Sequence, residues 1–140
     1  MAHQFLRLDL VSVVQVTVPP NAGGWFGPSD ISTSPLPLPL TNVHQILMDI
    51  TTTTASTSQS VALQVGNDFH WCQTDFGFIN AIAGAPTTVT VDLATLFQST
   101  SACIGSLPAD TSSLRSMWVF FNDGGSGQGG TFYLDNVRTK

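Results

Sequence analysis

The sequence predicts an all-β fold, an antiparallel β-sandwich (jelly roll) formed by residues 1–140 as a single domain. Apolar and polar residues alternate with the period of two that is typical of strands. Loops rich in glycine, proline and threonine separate these runs at intervals of roughly 10 to 15 residues, as in sandwiches and jelly rolls. Helix-favouring charged residues are scarce, since Lys and Arg number 4 and all 9 acidic residues are aspartate. A chain of 140 residues buries about two-thirds of its unfolded surface, which is enough for one core.

The charge of the chain excludes two classes of partner. The net charge is -5 with only 4 basic residues, so we expect no binding to nucleic acid or to an anionic membrane. No apolar run approaches the roughly 20 residues of a membrane span. Charged residues make up 9% of the chain, far below the roughly 25% of an average domain, so uncharged polar residues solvate the surface. This composition favours a secreted protein that meets neutral polymers. Because the first residues do not form a signal peptide, we expect the chain to be excised from a larger protein.

The first predicted strand is Phe5–Val18, which alternates with period two and bends near Ser12. Trp25 follows in a loop of glycine and proline, where it either plugs one end of the core or forms an exposed stacking platform. The segment Ser29–Thr41 contains prolines at alternate positions, which exclude a helix and any central strand. We therefore expect this segment to be an edge strand or loop.

The second predicted strand is Asn42–Thr54, with apolar residues from Ile46 to Ile50 on one face and Gln45 and Asp49 on the other. Periodicity and turn residues predict the following elements in the same way. In order, these are a turn at Thr51–Ser60, a strand at Ser60–Trp71 with a turn or bulge at Gly66–Asp68, a short strand within Cys72–Ile82, a strand at Thr87–Leu93, one helical turn at Ala94–Phe97 and a loop at Gln98–Ser113.

The segment Leu114–Arg138 predicts a hairpin. Two runs rich in aromatic and β-branched residues, Leu114–Phe121 and Thr131–Val137, flank a nine-residue loop, Asn122–Gly130, that contains five glycines. Asp135 and Asn136 are poor strand residues, so they either cap the strand or serve a site.

Cys72 and Cys103, the only cysteines, are 31 residues apart and form no C-x-x-C motif. In a chain of this composition the pair predicts one disulfide and an oxidising compartment. The alternative is two buried free thiols.

The closing segment Gly130–Arg138, which reads GTFYLDNVR, resembles the last strand of the β-sandwich carbohydrate-binding modules attached to plant-cell-wall hydrolases. A weaker resemblance covers Ile46–Thr51 and Val89–Leu93. It implies a module that binds a plant-cell-wall polysaccharide, most consistent with β-glucan or cellulose, and that targets a parent glycoside hydrolase to its substrate.

The resemblance also implies a structural Ca²⁺ between the first and last strands, with Asp135 as a ligand. Asp9 lies on the strand that we expect beside it and is the second candidate ligand. Calcium takes oxygen ligands from carboxylates, carbonyls and amides. The alternative is that Asp135 only accepts hydrogen bonds from the backbone.

Binding of a neutral sugar requires aromatic faces that pack on pyranose rings, and polar side chains that bind the hydroxyls. For each tryptophan, a position in the core is the alternative to a role in binding. The candidate platforms are Trp25, Trp71, Trp118 and Tyr133, and the candidate polar partners are Gln45, Asp49, Gln64 and Arg115. Alternation places Trp118 in phase with Leu114 and Phe120 but does not decide which face of that strand is exposed.

We predict no catalysis. The common glycosidases need two carboxyl groups, one of them usually a glutamic acid, and the chain has no glutamate. No G-x-S-x-G motif is present for a serine nucleophile. The first competing interpretation is a structural or adhesive jelly-roll domain, of appendage or capsid type, whose aromatic residues form the core. The second is an enzyme, a lyase or hydrolase that uses aspartates.

Overall fold

The computed structural model describes residues 13–21, 27, 36–53, 56–74, 77–80, 84–122 and 127–140. These residues form strands and a single short helix. The elements are β1 (Val14–Val18), β2 (Leu38–Pro39), β3 (Gln45–Thr52), β4 (Ser56–Val65), β5 (His70–Gln73), β6 (Gly77–Asn80), β7 (Thr87–Asp92), α1 (Leu93–Phe97), β8 (Ser113–Asn122) and β9 (Gly130–Thr139).

The strands form two antiparallel sheets, which confirms the predicted β-sandwich. The four-stranded sheet has the order β1-β9-β3-β7, and the five-stranded sheet has the order β2-β8-β4-β5 with β6 also paired to β4. The core lies between them and contains the inward residues of both sheets, such as Ile46, Met48 and Ile50 of β3, all of which are fully buried. The alternation predicted for β3 is therefore confirmed.

The described part of the first predicted strand, β1, pairs with β9. The proline segment supplies β2, a two-residue strand at the edge of the five-stranded sheet, as the spacing of its prolines predicts. The predicted turn Thr51–Ser60 is too long, because β3 extends to Thr52 and β4 begins at Ser56. Threonine and serine in this segment favour a strand as readily as a turn.

The predicted hairpin is wrong, because β8 and β9 belong to different sheets. The chain leaves the five-stranded sheet after β8 and enters the four-stranded sheet as β9. Phe121 and Phe132 stack across the core, with ring centroids 4.9 Å apart and an angle of 15° between the planes. Hairpin loops usually have two to five residues, whereas this longer connection is able to span the roughly 10 Å between packed sheets.

A β-bulge near Arg115 changes the phase of β8. Gln64 pairs with Ser116 and Val65 pairs with Leu114, so Arg115 is an additional residue on β8. Leu114 is fully buried although Trp118, four residues later, is 40% exposed. Without the bulge these two side chains would share a face.

A second bulge lies in β9 and explains the Asp-Asn pair. Between Leu47 and Asp49 of β3, the register on β9 moves by three residues, from Arg138 to Asp135. Asn136 has φ 50°, a conformation that asparagine tolerates better than most residues. Its backbone N–H donates to Asp135 Oδ1 at 2.7 Å. The two residues therefore build the bulge, within the strand and not at its end.

The helix α1 confirms the predicted helical turn. Asp92 caps its start, and Asp92 Oδ1 accepts a hydrogen bond from the Thr95 backbone N–H at 2.9 Å. No helix in the described part of the chain has the length and apolar character of a membrane span.

Truncation of Phe132, one ring of the stacked pair between the sheets, tests how much this pair contributes to the stability of the fold. Phe132→Ala is expected to lower the free energy of unfolding by about 3–5 kcal/mol, the usual cost of truncating a buried phenylalanine. Tyr133→Ala is a matched control on the same strand, where the side chain is 36% exposed, and is expected to cost about 1 kcal/mol or less. Urea denaturation of both variants measures these costs. Equal costs would contradict the inward position of Phe132.

Candidate functional site

Two tryptophans lie side by side on the outer face of the five-stranded sheet. Trp118 is on β8, an interior strand, and is 40% exposed, while Trp71 is on β5 and is half-buried. Their ring centroids are 6.2 Å apart, with an angle of 83° between the planes. Phe120 continues the group at 5.6 Å from Trp118. These rings therefore form a continuous aromatic surface open to solvent.

The small side chain of Ala62 leaves a hollow beneath these rings. Ala62 lies on β4 directly between Trp118 of β8 and Gln73 of β5. The hollow has a volume of about 260 Å³. We call its lining the tryptophan patch, which consists of Ala62, Trp71, Gln73, Ile104, Trp118 and Phe120.

Gln73 supplies the polar group of the tryptophan patch. Its Nε2 donates to Ser60 Oγ at 3.0 Å, and Ser60 Oγ donates to the Thr74 carbonyl oxygen at 2.8 Å. These bonds orient the amide through its nitrogen, and its carbonyl oxygen is of the type that accepts a hydrogen bond from a ligand hydroxyl. Gln73 and Phe120 were not among the sequence candidates, although each lies two residues after a candidate tryptophan and therefore on the same face of its strand.

The disulfide positions one wall of the patch. Cys72 and Cys103 are joined with an S–S distance of 2.04 Å, so the predicted pairing is confirmed and the free-thiol alternative is wrong. Beside it, the Ile104 N–H donates to the Trp71 carbonyl oxygen at 3.1 Å and the Gln73 N–H donates to the Ala102 carbonyl oxygen at 2.9 Å. These bonds hold Ile104, which is 73% exposed, at the edge of the tryptophan patch.

Gln64 and Arg115, two of the predicted polar partners, lie on the same sheet but beyond the patch, towards the β4–β5 turn. Gln64 pairs with Trp71 across the strands, and its Nε2 donates to the Phe69 carbonyl oxygen at 3.3 Å. Arg115 donates to the same turn, from Nε to the Gly66 carbonyl oxygen at 3.2 Å.

The structure places the other described candidates on the opposite sheet. Tyr133 is on β9, and Gln45 and Asp49 are on β3. One sugar cannot contact these three residues and the tryptophan patch together, because the core separates the two outer faces. Trp25 lies outside the described residues.

Asp49 is engaged by its neighbours on the four-stranded sheet. Thr88 Oγ1 donates to Asp49 Oδ1 at 2.8 Å, Asn136 Nδ2 donates to Oδ2 at 2.9 Å, and Arg138 Nη1 lies 3.3 Å from Oδ1. Burial raises the pKa of Asp49, but the hydrogen bonds from Asn136 and Thr88 and the charge of Arg138 outweigh it and lower the pKa overall. The hydrogen bonds from Asn136 and Arg138 to Asp49 therefore connect the β9 bulge to β3.

The described surroundings of Asp135 do not complete a calcium site. Asp135 is exposed and pairs in register with Asp49, whose oxygens already accept the three contacts above. No group of three His, Cys, Asp or Glu residues that could hold a metal ion occurs among the described residues. Since calcium requires six to eight oxygen ligands, further ligands would have to come from elsewhere. Asp9, the second predicted ligand, lies outside the described residues.

Loss of the disulfide is expected to destabilise the domain and loosen Ile104. The variant with both Cys72→Ser and Cys103→Ser should lose about 3–4 kcal/mol of unfolding free energy by the loop-entropy relation. Urea denaturation with and without reductant measures the loss. Reductant should destabilise the wild type and leave the double variant unchanged, and an effect on both proteins would show that the disulfide is not its target.

No protein-family model matches the chain, and no curated protein matches its sequence significantly. Among solved structures, the chain is similar to the family 11 carbohydrate-binding module of the cellulosomal cellulase Lic26A-Cel5E of Clostridium thermocellum. The TM-score is 0.63 at 12% sequence identity, and the match covers 99% of this chain and 95% of that one.

Two further structures have the same fold. A family 11 module from Clostridium thermocellum, in complex with a β-1,3-1,4-mixed-linked tetrasaccharide, has a TM-score of 0.58 at 11% identity, covering 91% of this chain and 82% of that one. CBM28, a carbohydrate-binding module specific for non-crystalline cellulose, has a TM-score of 0.54 at 19% identity, covering 91% of this chain and 73% of that one. The chain therefore has the β-sandwich fold of carbohydrate-binding modules, as the sequence resemblance implies.

Proposed function

We propose that this protein is a non-catalytic module that binds a neutral plant-cell-wall polysaccharide at the tryptophan patch. The observation that carries the proposal is the exposure of Trp118, which is 40% exposed on the outer face of β8, an interior strand of the five-stranded sheet. Trp118 is part of a contiguous apolar surface with Trp71, Phe120 and Ile104, and contiguous exposed apolar surfaces on monomeric proteins commonly mark ligand or protein interaction sites. The sandwich fold shared with glycan-binding modules makes a sugar the favoured ligand.

The chemistry of the patch suits an uncharged sugar. All six residues that line it are uncharged, so an ionised ligand would find no counter-charge there. Indole and phenyl faces pack against the apolar face of a pyranose ring, and Gln73 provides an acceptor for a hydroxyl. A few polar groups in a mainly apolar hollow are typical of small-ligand sites.

We further propose a β-glucan or cellulose-type ligand and a role in targeting a parent glycoside hydrolase. The ligand class is supported by two of the similar structures, one in complex with a β-1,3-1,4-mixed-linked tetrasaccharide and one specific for non-crystalline cellulose. A structural disulfide persists in oxidising compartments, which supports a secreted protein.

A structural or adhesive domain is the second candidate. Ile104 is 73% exposed beside the indoles, and an apolar group of this kind also suits a protein partner. In that case the patch would bind protein and no glycan.

Trp118→Ala is expected to abolish glycan binding because it removes the most exposed ring of the patch. Tyr133→Ala is the matched control, since it removes a ring of similar exposure from the opposite sheet. Affinity electrophoresis in gels containing soluble β-glucan, xylan or mannan measures binding. Retarded migration of wild type and Tyr133→Ala in the β-glucan gel, with free migration of Trp118→Ala, would support the proposal.

Unchanged wild-type mobility in every gel would instead favour the structural or adhesive domain. If only the Tyr133→Ala variant loses retardation in the gel, the glycan-binding site lies on the four-stranded sheet. Release of reducing sugar from any of the polymers would contradict the non-catalytic assignment.

Calcium at Asp135 also remains a proposal, supported by the resemblance of the closing strand and dependent on ligands beyond the described residues. We expect EDTA to lower the melting temperature and Ca²⁺ to restore it, because an ion that binds only the folded state stabilises it. The Asp135→Asn variant should show a smaller response to EDTA. Identical melting curves of the wild type with EDTA and with Ca²⁺ would remove calcium from the proposal.

A further inference from the structure

Phe69 combines an unfavourable backbone with an exposed side chain. It lies in the β4–β5 turn with φ 54°, a conformation in which a bulky residue is a genuine outlier. Its side chain is 56% exposed, so burial of the ring does not compensate for the strain. Strained residues that persist are held by their surroundings and are concentrated at ligand sites.

Two residues of the five-stranded sheet, Arg115 and Gln64, contact Phe69. The Arg115 guanidinium carbon lies 5.2 Å from the ring centroid, within the range of a cation–π contact. Arg115 is itself fixed by hydrogen bonds to the Gly66 carbonyl oxygen at 3.2 Å and to Asn67 Oδ1 at 2.7 Å. Gln64 Nε2 holds the Phe69 carbonyl oxygen at 3.3 Å.

Asp110 secures the same turn from the neighbouring loop. Its carboxylate accepts the Asn67 N–H at 2.9 Å, and also the Ser112 hydroxyl at 2.6 Å and the Ser112 N–H at 3.0 Å. The two hydrogen bonds from Ser112, followed by that from Asn67, lower the pKa of Asp110 from 3.8 to about 2, so their contribution to stability is fully present above pH 3.8 and is lost as the pH falls through about 2. A Cβ on Gly66 would clash with the Asp110 carbonyl oxygen, which shows how closely the turn and the loop approach.

Phe69 lies at one end of a line that runs through the tryptophan patch. Along β4, Ser60 pairs with Phe120, Ala62 pairs with Trp118, and Gln64 pairs with Trp71. The β4–β5 turn that carries Phe69 follows at Gly66. At about 3.3 Å per residue, the distance from Ser60 to Gly66 is roughly 20 Å. Phe120 thus lies at the Ser60 end of this distance and Phe69 at the Gly66 end, with Trp118 and Trp71 between them.

We propose that Phe69 and Arg115 form a distal subsite for the same neutral glycan, so that the protein binds a linear chain over several sugars. The inference rests on the proposed function and adds the form of the ligand. The open face of the Phe69 ring packs on a pyranose. The two hydrogen bonds of Arg115 to described residues leave further N–H donors of its guanidinium for sugar hydroxyls.

The test compares oligosaccharides of increasing length. Phe69→Asn removes the ring and keeps a residue that tolerates positive φ, and Phe69→Gly is a second variant that adopts this φ without strain. Isothermal titration with β-glucan oligosaccharides from two sugars upwards is expected to show wild-type affinity rising with length. Both variants should bind the shortest bound oligosaccharide as the wild type does. They should bind the longest about 2- to 10-fold more weakly, the size of one aromatic contact. Tyr133→Ala should match the wild type at every length.

The possible outcomes separate this inference from the function on which it rests. If both Phe69 variants bind the longest oligosaccharide like the wild type, the distal subsite is overturned while the tryptophan patch remains the site. If the wild type binds no oligosaccharide of any length, the proposed function fails and the subsite with it. Equal weakening at every length would also overturn the inference, because it would place Phe69 beside the first sugar.

Discussion

The bulge at Arg115 decides which residues of β8 face solvent on the five-stranded sheet. It allows Leu114 and Met117 both to point into the core, three residues apart, where strict alternation would place them on opposite faces. Trp118 and Phe120 then point outward. The bulged residue itself extends to the β4–β5 turn and supports Phe69. A single inserted residue thus fixes the core side of β8, the tryptophan patch and the support of the turn, as expected of bulges, which often re-aim side chains near sites.

Local periodicity predicts much of this fold but not the phase of β8. The runs that form β3 and β7 show their inner faces in the sequence because no bulge interrupts their pairing with each other. In β8, apolar residues occur on both faces, since the outer face carries Trp118 and Phe120, so alternation alone could not show where the phase changes. The predicted hairpin was wrong for a related reason. Local sequence identifies two strong strands and a glycine-rich connection, whereas the choice between pairing within one sheet and crossing to the other depends on partners far away in the chain.

The sequence likewise predicts only some residues of the candidate site. Trp71 and Trp118 could be named from residue type, and Gln73 and Phe120 follow from them by period two. Ala62 and Ile104 could not be found locally, because each reaches the patch through long-range pairing. Ala62 lies between two strands that come from distant parts of the sequence. Ile104 is held by backbone pairing next to the Cys72–Cys103 bond. The sequence thus indicates the aromatic residues of the patch, whereas the positions of Ala62 and Ile104 depend on the topology of the fold.

The two outer faces differ in how far their polar groups are satisfied within the protein, and this difference favours one face for binding. On the four-stranded sheet, Asp49 accepts hydrogen bonds from Thr88 and Arg138 at Oδ1 and from Asn136 of the bulge at Oδ2, so both carboxylate oxygens are already used. A ligand there would have to displace charge-assisted hydrogen bonds. On the five-stranded sheet, the bulge presents Arg115 to an exposed ring, and the neighbouring surface is an apolar hollow with few polar groups. A neutral ligand that displaces water from this surface breaks few protein contacts, so the net gain from burying apolar area is greater there.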